Sequence, residues 1–166
     1  MKKGFSFIFI AALIALSFAN SYSQTRIAVI PFQNLYGLMT LNTWCYDLQD
    51  SLLKSLKLQD PDEKYYHIIP SDSIEALLAE LNLDPTNPQY PTDMWKVVKK
   101  LNARYVVSGT FNIQAKRYLI NCYIFDINTK LANPKYQAKD IFKKEADVME
   151  SIPIIVDRIL PGLKGE

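Results

Sequence analysis

The chain has 166 residues, enough for one domain with a hydrophobic core. Of its 19 Lys and Arg residues, Lys2 and Lys3 lie in an N-terminal leader, so the remainder balances the 17 Asp and Glu residues. Proteins that bind nucleic acid usually carry a basic excess, because neutralising phosphates supplies much of their affinity. A net charge of zero after loss of the leader therefore argues against a nucleic-acid partner.

Residues 1–23 have the pattern of a cleaved secretory signal. After the basic start, the apolar run from Phe5 to Phe18 is shorter than the roughly 20 residues that span a bilayer. We predict cleavage after Ser23, with cleavage after Ala19 as the alternative. Because no cysteine follows the cut, we expect a periplasmic or secreted protein that is not a lipoprotein. Residues 24–166 would then form a single domain with no transmembrane segment.

The first half of that domain alternates strands and helices. The stretch "RIAVIPFQN" at 26–34 predicts a buried strand that runs into a loop, and 65–69 predicts a second strand. Between them, apolar residues recur at spacings of three and four, which indicates a helix from about residue 40 to 57. The members of that stripe are Leu41, Cys45, Leu48, Leu52 and Leu56.

Two shorter helices follow the second strand. In the first, Asp72 and Glu75 have the spacing of a capping box, and the second begins near Thr92. The segment between them contains three prolines and no periodicity, so we expect a loop.

The second half predicts an antiparallel hairpin and a final helix. "ARYVVSGTFNIQA" and "RYLINCYIFDINT" are apolar, β-rich runs that follow each other closely. Gly109 predicts a bulge or a close backbone approach in the first run. A shorter strand is expected around 134–138. The last helix, within 148–160, is expected to begin at Ser151 or to kink at Pro153.

The element order is therefore β-α-β-α-α-β-β-(β)-α. This order predicts an α/β fold with a single mixed sheet of about four to five strands and helices packed on its faces.

The sequence offers little for catalysis, cofactors or metals. His67 is the only histidine, and a lone histidine in a strand is usually a packing or surface residue. No serine lies in a G-x-S-x-G turn, and one histidine cannot lead a zinc site. "DPDEK" at 60–64 lacks the glycine of a calcium loop, so we expect a solvated acidic turn. We predict no catalytic, cofactor-binding or metal-binding residues.

The loop after the first strand is the candidate contact surface. It has one glycine and no phosphate-binding fingerprint, so nucleotide binding is not indicated. We expect Pro31 and Asn34 to shape this loop without doing chemistry. The residues assigned to a partner or ligand contact are Phe32, Gln33, Asn34, Tyr36 and Gly37.

Cys45 and Cys122 are the two cysteines of the chain. An oxidising compartment allows a disulfide between them. Both fall in elements with a buried pattern, so packed free thiols are the favoured interpretation.

Three motifs together resemble a known family. "RIAVIPFQN" at 26–34, "LNARYVVSGTF" at 101–111 and "INCYIFDINT" at 120–129 are similar to motifs of the TolB amino-terminal domain and its relatives, CsgG, FlgO and LpoB. Lys130 stands where that family usually has glycine. The resemblance implies a bacterial envelope domain, with a fold like anticodon-binding domains, that binds other proteins or assembles and does not catalyse a reaction.

Two functional hypotheses follow. The first is a non-enzymatic periplasmic binding or assembly module, accessory to secretion, motility or cell-wall machinery, whose partners are envelope proteins or further copies of itself. The alternative is a periplasmic small-ligand-binding domain that uses the loop after the first strand, since open α/β sheets place ligands beyond their strand ends.

Overall fold

The computed structural model describes residues 24–85, 87 and 89–166. Within these residues, six strands form one mixed sheet and four α-helices pack against it, which confirms the predicted α/β class. The predicted signal segment, 1–23, lies outside the described residues.

The bounds of the elements follow the predicted order. The strands are β1 (Thr25–Val29), β2 (Gln33–Asn34), β3 (Tyr66–Ile68), β4 (Tyr105–Gln114), β5 (Arg117–Asp126) and β6 (Ala132–Lys143). The α-helices are α1 (Thr43–Gln59), α2 (Ser71–Glu80), α3 (Tyr90–Lys100) and α4 (Ser151–Lys164). Short 3₁₀ helices, Met39–Leu41 and Glu145–Glu150, precede α1 and α4.

The sheet has the strand order β3-β1-β4-β5-β6, and β2 also pairs with β4. β1 runs parallel to both β3 and β4, whereas β4, β5 and β6 are antiparallel to their successive neighbours. The predicted hairpin is therefore β4 and β5. β2 was not predicted, and β6 is longer than the expected strand at 134–138.

Each face of the sheet is covered by a different pair of helices. Side chains alternate along a strand, so Ile27 and Val29 of β1 point to one face while Ala28 and Ile30 point to the other. The first pair packs with α1 and α4, and the second pair packs with α2 and α3. All four side chains are fully buried, and burying one large aliphatic side chain contributes about 1.5–3 kcal/mol.

The starts of α4 and α2 test two expectations from the sequence. α4 begins at Ser151, and Pro153 lies in its first turn, where a missing N–H costs nothing. The predicted capping box on α2 is wrong: the residue before the helix is Pro70, and no side chain caps the helix. Asp72 lies inside the first turn of α2, where its charge favours the helix dipole.

The chain bulges between β1 and β2. Both strands pair with β4: Val29 aligns with Val107, and Gln33 aligns with Thr110. The segment 29–33 therefore contains one residue more than the β4 segment 107–110 that it faces. Pro31 has no N–H to donate in this bulge. Side chains and backbone of α1 supply the missing partners: the Gln49 amide donates to the Val29 carbonyl (2.8 Å), and the Phe32 N–H donates to the Cys45 carbonyl (2.9 Å).

Gly109 of β4 accommodates the side chain that the bulge turns inward. A Cβ at this position would lie within 2.5 Å of Phe32 Cζ and closer still to two other ring carbons. The prediction of a bulge or a close backbone approach at Gly109 is therefore wrong in form: β4 pairs with β5 without interruption there, and the group that needs the space is the buried Phe32 ring.

The expected solvated acidic turn at 60–64 is wrong for Asp60. This carboxylate is only 6% exposed and accepts hydrogen bonds from the backbone N–H groups of Lys64 (2.9 Å), Tyr65 (2.8 Å) and Tyr66 (3.1 Å). Burial alone would raise the pKa of Asp60, but these three donors, together with the charge of Lys164, lower it below its ordinary value. Tyr66 is the first residue of the edge strand β3, and because its N–H is hydrogen-bonded to Asp60, this N–H cannot pair with a strand of another molecule.

Replacement of Gly109 by alanine tests the contact with Phe32. The added methyl group overlaps a fully buried ring, so we expect Gly109→Ala to lower the free energy of unfolding by about 3 kcal/mol. Urea denaturation followed by circular dichroism measures this loss. In the Phe32→Leu background, which removes the ring, the cost of Gly109→Ala should fall by at least half. Equal costs in both backgrounds would contradict the proposed contact.

Replacement of Asp60 by asparagine tests its role as an acceptor. At neutral pH, Asp60→Asn should lower the free energy of unfolding by about 1–3 kcal/mol, because a neutral amide has one acceptor oxygen for three donors. The folded pKa of Asp60 is lowered. Its contribution is therefore complete above the unfolded carboxyl pKa of about 3.9 and is lost as the pH falls through the folded value.

Urea denaturation at a series of pH values measures this dependence. The stability difference between the protein and Asp60→Asn should be largest near neutral pH and should shrink in acid. Asp62→Asn, which changes an exposed carboxylate in the same turn, is the matched control and should leave stability unchanged. A difference that is independent of pH would refute the charged-acceptor role.

Candidate functional site

The structure divides the predicted contact residues into buried and exposed members. Phe32 is fully buried over Gly109, and Asn34 is only 4% exposed. Gln33 is half-buried in β2, whereas Tyr36 and Gly37 are exposed. Phe32 and Asn34 therefore hold the loop in place, and only the later residues can contact a partner directly.

Asn34 organises the loop through both ends of its side-chain amide. Its Nδ2 donates to the carbonyl oxygen of Leu38 (3.0 Å) and to Oδ1 of Asn42 (2.8 Å). Its Oδ1 accepts from the N–H groups of Tyr36 and Gly37, each at 3.1 Å. These four bonds confirm the expectation that Asn34 shapes the loop, because a single buried side chain replaces the missing backbone ladder.

Gly37 permits the turn at the tip of the loop. Its φ of +79° lies in the left-handed region, which residues with a Cβ avoid. Apart from Gly37 and its two chain neighbours, no heavy atom of the described residues lies within 4 Å of the position that a Cβ would take, so backbone conformation and not space requires glycine here.

Four large apolar side chains surround Gly37 and point to solvent. Their exposed fractions are 52% for Leu35, 50% for Tyr36, 49% for Leu38 and 81% for Met39. We call these four residues the apolar loop. Exposed apolar side chains that are contiguous in this way mark interaction surfaces more often than scattered ones do.

Sequence reasoning missed three members of the apolar loop. Leu35, Leu38 and Met39 were not assigned to a contact surface. The signal was present in "LYGLM", a run of large apolar residues broken only by a glycine and outside the helical stripe that follows. Such a run has no periodic partner face and is therefore a candidate for exposure.

The two thiols of the chain are buried and neutral. Cys45 and Cys122 are free thiols in the structure, and both belong to the core between the sheet, α1 and α4. Burial raises the pKa of Cys45 to about 11 and that of Cys122 to about 12, so both are protonated at physiological pH. The possible disulfide between them stays a prediction.

The His67 imidazole contacts a carboxylate at the surface of the sheet edge. Its Nδ1 lies 2.7 Å from Oε2 of Glu63, and both side chains are partly exposed. Within residues 24–85, 87 and 89–166, no cluster of three or more His, Cys, Asp and Glu side chains could hold a metal ion. In the same part of the chain, no helix combines the length and the apolar character that crossing a bilayer requires.

The cavity beside the loop is small. Gln33, Tyr90 and Thr110 are among its lining residues, and its volume is about 120 Å³. The Tyr90 hydroxyl is buried and has no hydrogen-bond partner among the described residues. Small-molecule sites usually occupy about 300–1,000 Å³, so this cavity is too small for a typical ligand.

The sequence matches no protein-family model and no curated protein. Solved structures share its fold. The C-terminal domain of LpoB from Salmonella enterica aligns with a TM-score of 0.50 at 9% identity, over 81% of this chain and 94% of that chain. The corresponding domain from Escherichia coli aligns with a TM-score of 0.50 at 11% identity, over 77% and 90%.

A protein described as a lipoprotein has the same fold. Lipoprotein GNA1162 from Neisseria meningitidis aligns with a TM-score of 0.51 at 15% identity, over 80% of this chain and 94% of that chain. At these identities the likeness establishes an LpoB-like fold. Membership of a family with CsgG or FlgO stays a prediction from the sequence motifs.

The variant Asn34→Asp tests the organisation of the loop. It keeps the acceptor oxygens but replaces the donor amide with a charge facing the Leu38 carbonyl and Asn42 Oδ1. We expect a loss of about 1–3 kcal/mol in the free energy of unfolding and faster hydrogen exchange at Tyr36 and Gly37. NMR hydrogen exchange measures the local effect. Asn42→Ala removes only one partner of Asn34 and should therefore have a smaller effect. Unchanged exchange in Asn34→Asp would show that the Asn34 amide does not order the loop.

Proposed function

We propose that the protein is a non-enzymatic binding or assembly module of the bacterial cell envelope and that it contacts its partner through the apolar loop. The single observation that carries this proposal is the exposure of Leu35, Tyr36, Leu38 and Met39 on a loop that Asn34 holds in one conformation.

The physical argument rests on the combination of apolar surface and order. Burying exposed apolar area stabilises a complex by roughly 25 cal/mol per Å² before the entropic costs of association. Those costs are lower when the loop is already fixed, because fewer backbone states are lost on binding. An ordered apolar loop is therefore suited to docking on a protein surface.

The net charge of zero that residues 24–166 would carry after loss of the leader agrees with this mode of recognition. A protein without excess charge has no strong long-range attraction to a charged partner. Recognition then depends on apolar and aromatic contact, to which Tyr36 contributes a ring with a polar tip.

The envelope location rests on two independent observations. Residues 1–23 have the pattern of an export signal. The fold is shared with the C-terminal domain of LpoB and with a protein described as a lipoprotein. Together with the TolB-like motifs, these observations support a periplasmic or secreted module formed by residues 24–166, with an envelope protein or a second copy as its partner.

The absence of a catalytic role is part of the proposal. The two thiols are buried and protonated, and His67 pairs with Glu63 at the edge of the sheet. The small-ligand alternative at the same loop has less support, because the neighbouring cavity holds about 120 Å³.

Replacing two residues of the apolar loop tests the proposal. A photo-crosslinking amino acid at Tyr36 should give discrete adducts with a partner in envelope extract. Combining it with Leu38→Ser and Met39→Ser should reduce the adducts by more than about tenfold, because two apolar contacts contribute well over 1.4 kcal/mol. Adduct yields on denaturing gels and the mass of each adduct are the measurements.

The matched control changes exposed leucines elsewhere. Leu58 and Leu131 are 79% and 70% exposed, so Leu58→Ser with Leu131→Ser removes comparable apolar surface. This control should keep the adducts. Adducts of twice the chain mass, with concentration-dependent light scattering, would show that the partner is a second copy of this chain. Adducts lost equally in both double variants, or never formed, would refute the docking role of the loop.

A further inference from the structure

A second surface lies at the other end of β4, between α3 and the turn that joins β5 to β6. It is a cavity of about 430 Å³, within the usual range for small-molecule sites. The residues that line it are Trp95, Lys96, Lys99, Ile127, Asn128 and Lys130. We call this cavity the tryptophan–lysine pocket.

An aromatic ring forms one wall of the pocket. Trp95 is half-buried and packs edge-to-face on Phe125, with ring centroids 5.8 Å apart. This contact fixes the indole on the sheet. The Lys130 ammonium group lies 5.9 Å from the centroid of the Trp95 ring, within the range of a cation–π interaction.

Positive charge exceeds negative charge at the pocket. Lys96 is paired with Asp93 at 2.7 Å, and the nearby Asp126 carboxylate is paired with Arg104 at 2.9 Å. Among the described residues, neither Lys99 nor Lys130 has a carboxylate partner. Two exposed lysines therefore line the pocket without neutralisation, although the Lys and Arg residues of 24–166 equal the Asp and Glu residues in number.

The backbone of Lys130 is held in a conformation that favours glycine. Its φ is +57°, and its N–H donates to the Asp126 carbonyl (2.7 Å) at the close of the turn. Asp126 Oδ1 accepts from the N–H groups of Asn128 and Thr129 and so stabilises the turn. The turn thereby fixes the backbone from which the Lys130 side chain extends over the Trp95 ring.

We propose that the tryptophan–lysine pocket binds a small anionic ligand of about the size of one sugar ring. Lys99 and Lys130 pair with a phosphate or carboxylate group of the ligand, and the Trp95 ring packs against its apolar face. This site is separate from the apolar loop and does not depend on the function proposed for it.

Trp95 itself reports the binding. The chain has two tryptophans, and Trp44→Phe keeps an aromatic ring against Tyr118 while leaving Trp95 as the only indole. Titration of this variant with glucose 6-phosphate or glucuronic acid should give a saturable change in fluorescence. Glucose, which has the ring without the charge, should give none. Calorimetry on the unmodified protein is the second measurement.

Two variants test the lysines. Lys99→Gln and Lys130→Gly should each weaken binding about fivefold or more, which corresponds to loss of one favourable ion pair. Affinity for the anionic sugars should also fall as salt is raised. Lys130→Gly relieves the left-handed conformation, so its melting temperature should be unchanged or higher and unfolding cannot account for the lost binding.

Lys116→Gly is the matched control for Lys130→Gly. Lys116 has φ +61° in the exposed turn between β4 and β5, so the substitution removes the same charge from the same conformation. It should leave the affinity unchanged. Equal losses in the two glycine variants would show that only net charge matters and would overturn the proposal.

Vesicles containing phosphatidylglycerol separate the two sources of a phosphate group. If vesicles bind the protein, lose binding with Lys99→Gln and compete with glucose 6-phosphate, a lipid headgroup occupies the pocket and the anion site stands. If neither the sugars nor the vesicles bind, or if glucose binds as well as the anionic sugars, the proposed site does not exist.

Discussion

The contact between Phe32 and Gly109 determines how the chain leaves the sheet. Pro31 cannot donate a hydrogen bond, and one extra residue lies between the two segments that pair with β4. The bulge turns the Phe32 ring onto the one position of β4 without a side chain. Gln49 and Cys45 of α1 then satisfy the backbone groups that the bulge frees. The packing of Phe32 on Gly109 therefore directs the chain into β2 and so determines where the apolar loop lies.

The order of the loop changes the meaning of its exposed side chains. Exposed leucine and methionine on a mobile segment would lose much conformational entropy on binding. Here Asn34 ties both sides of the Gly37 turn together from a buried position. The apolar loop is therefore ordered before it binds. The entropic cost of ordering it arises when the chain folds and does not weaken the association.

The fold class and most elements could be predicted, because apolar periodicity reflects which face is buried. Gly109 could be identified as a special position, but not the Phe32 ring that packs on it. β2 could not, since two residues carry no period and the pairing exists only because β4 lies alongside. Asp60 was misjudged for a similar reason: a carboxylate next to proline is typical of solvated turns, and its three N–H donors come from residues that fold back onto it. The run "LYGLM" marks the exposed members of the apolar loop only as candidates, because tertiary packing decides which surfaces the helices leave uncovered.

The two surfaces lie toward opposite ends of β4. Asn34 pairs beside Phe111, whereas Asp126, at the start of the turn that carries Lys130, pairs beside Tyr105. Six residues of strand separate these positions, which corresponds to roughly 20 Å. Coupling over that distance requires an element with two arrangements that both sites bias. β4 is hydrogen-bonded to β1, β2 and β5, and its core side chains Val106, Val107 and Phe111 are fully buried, so it is a poor candidate for such an element. A partner on the apolar loop and an anion in the tryptophan–lysine pocket would therefore bind independently.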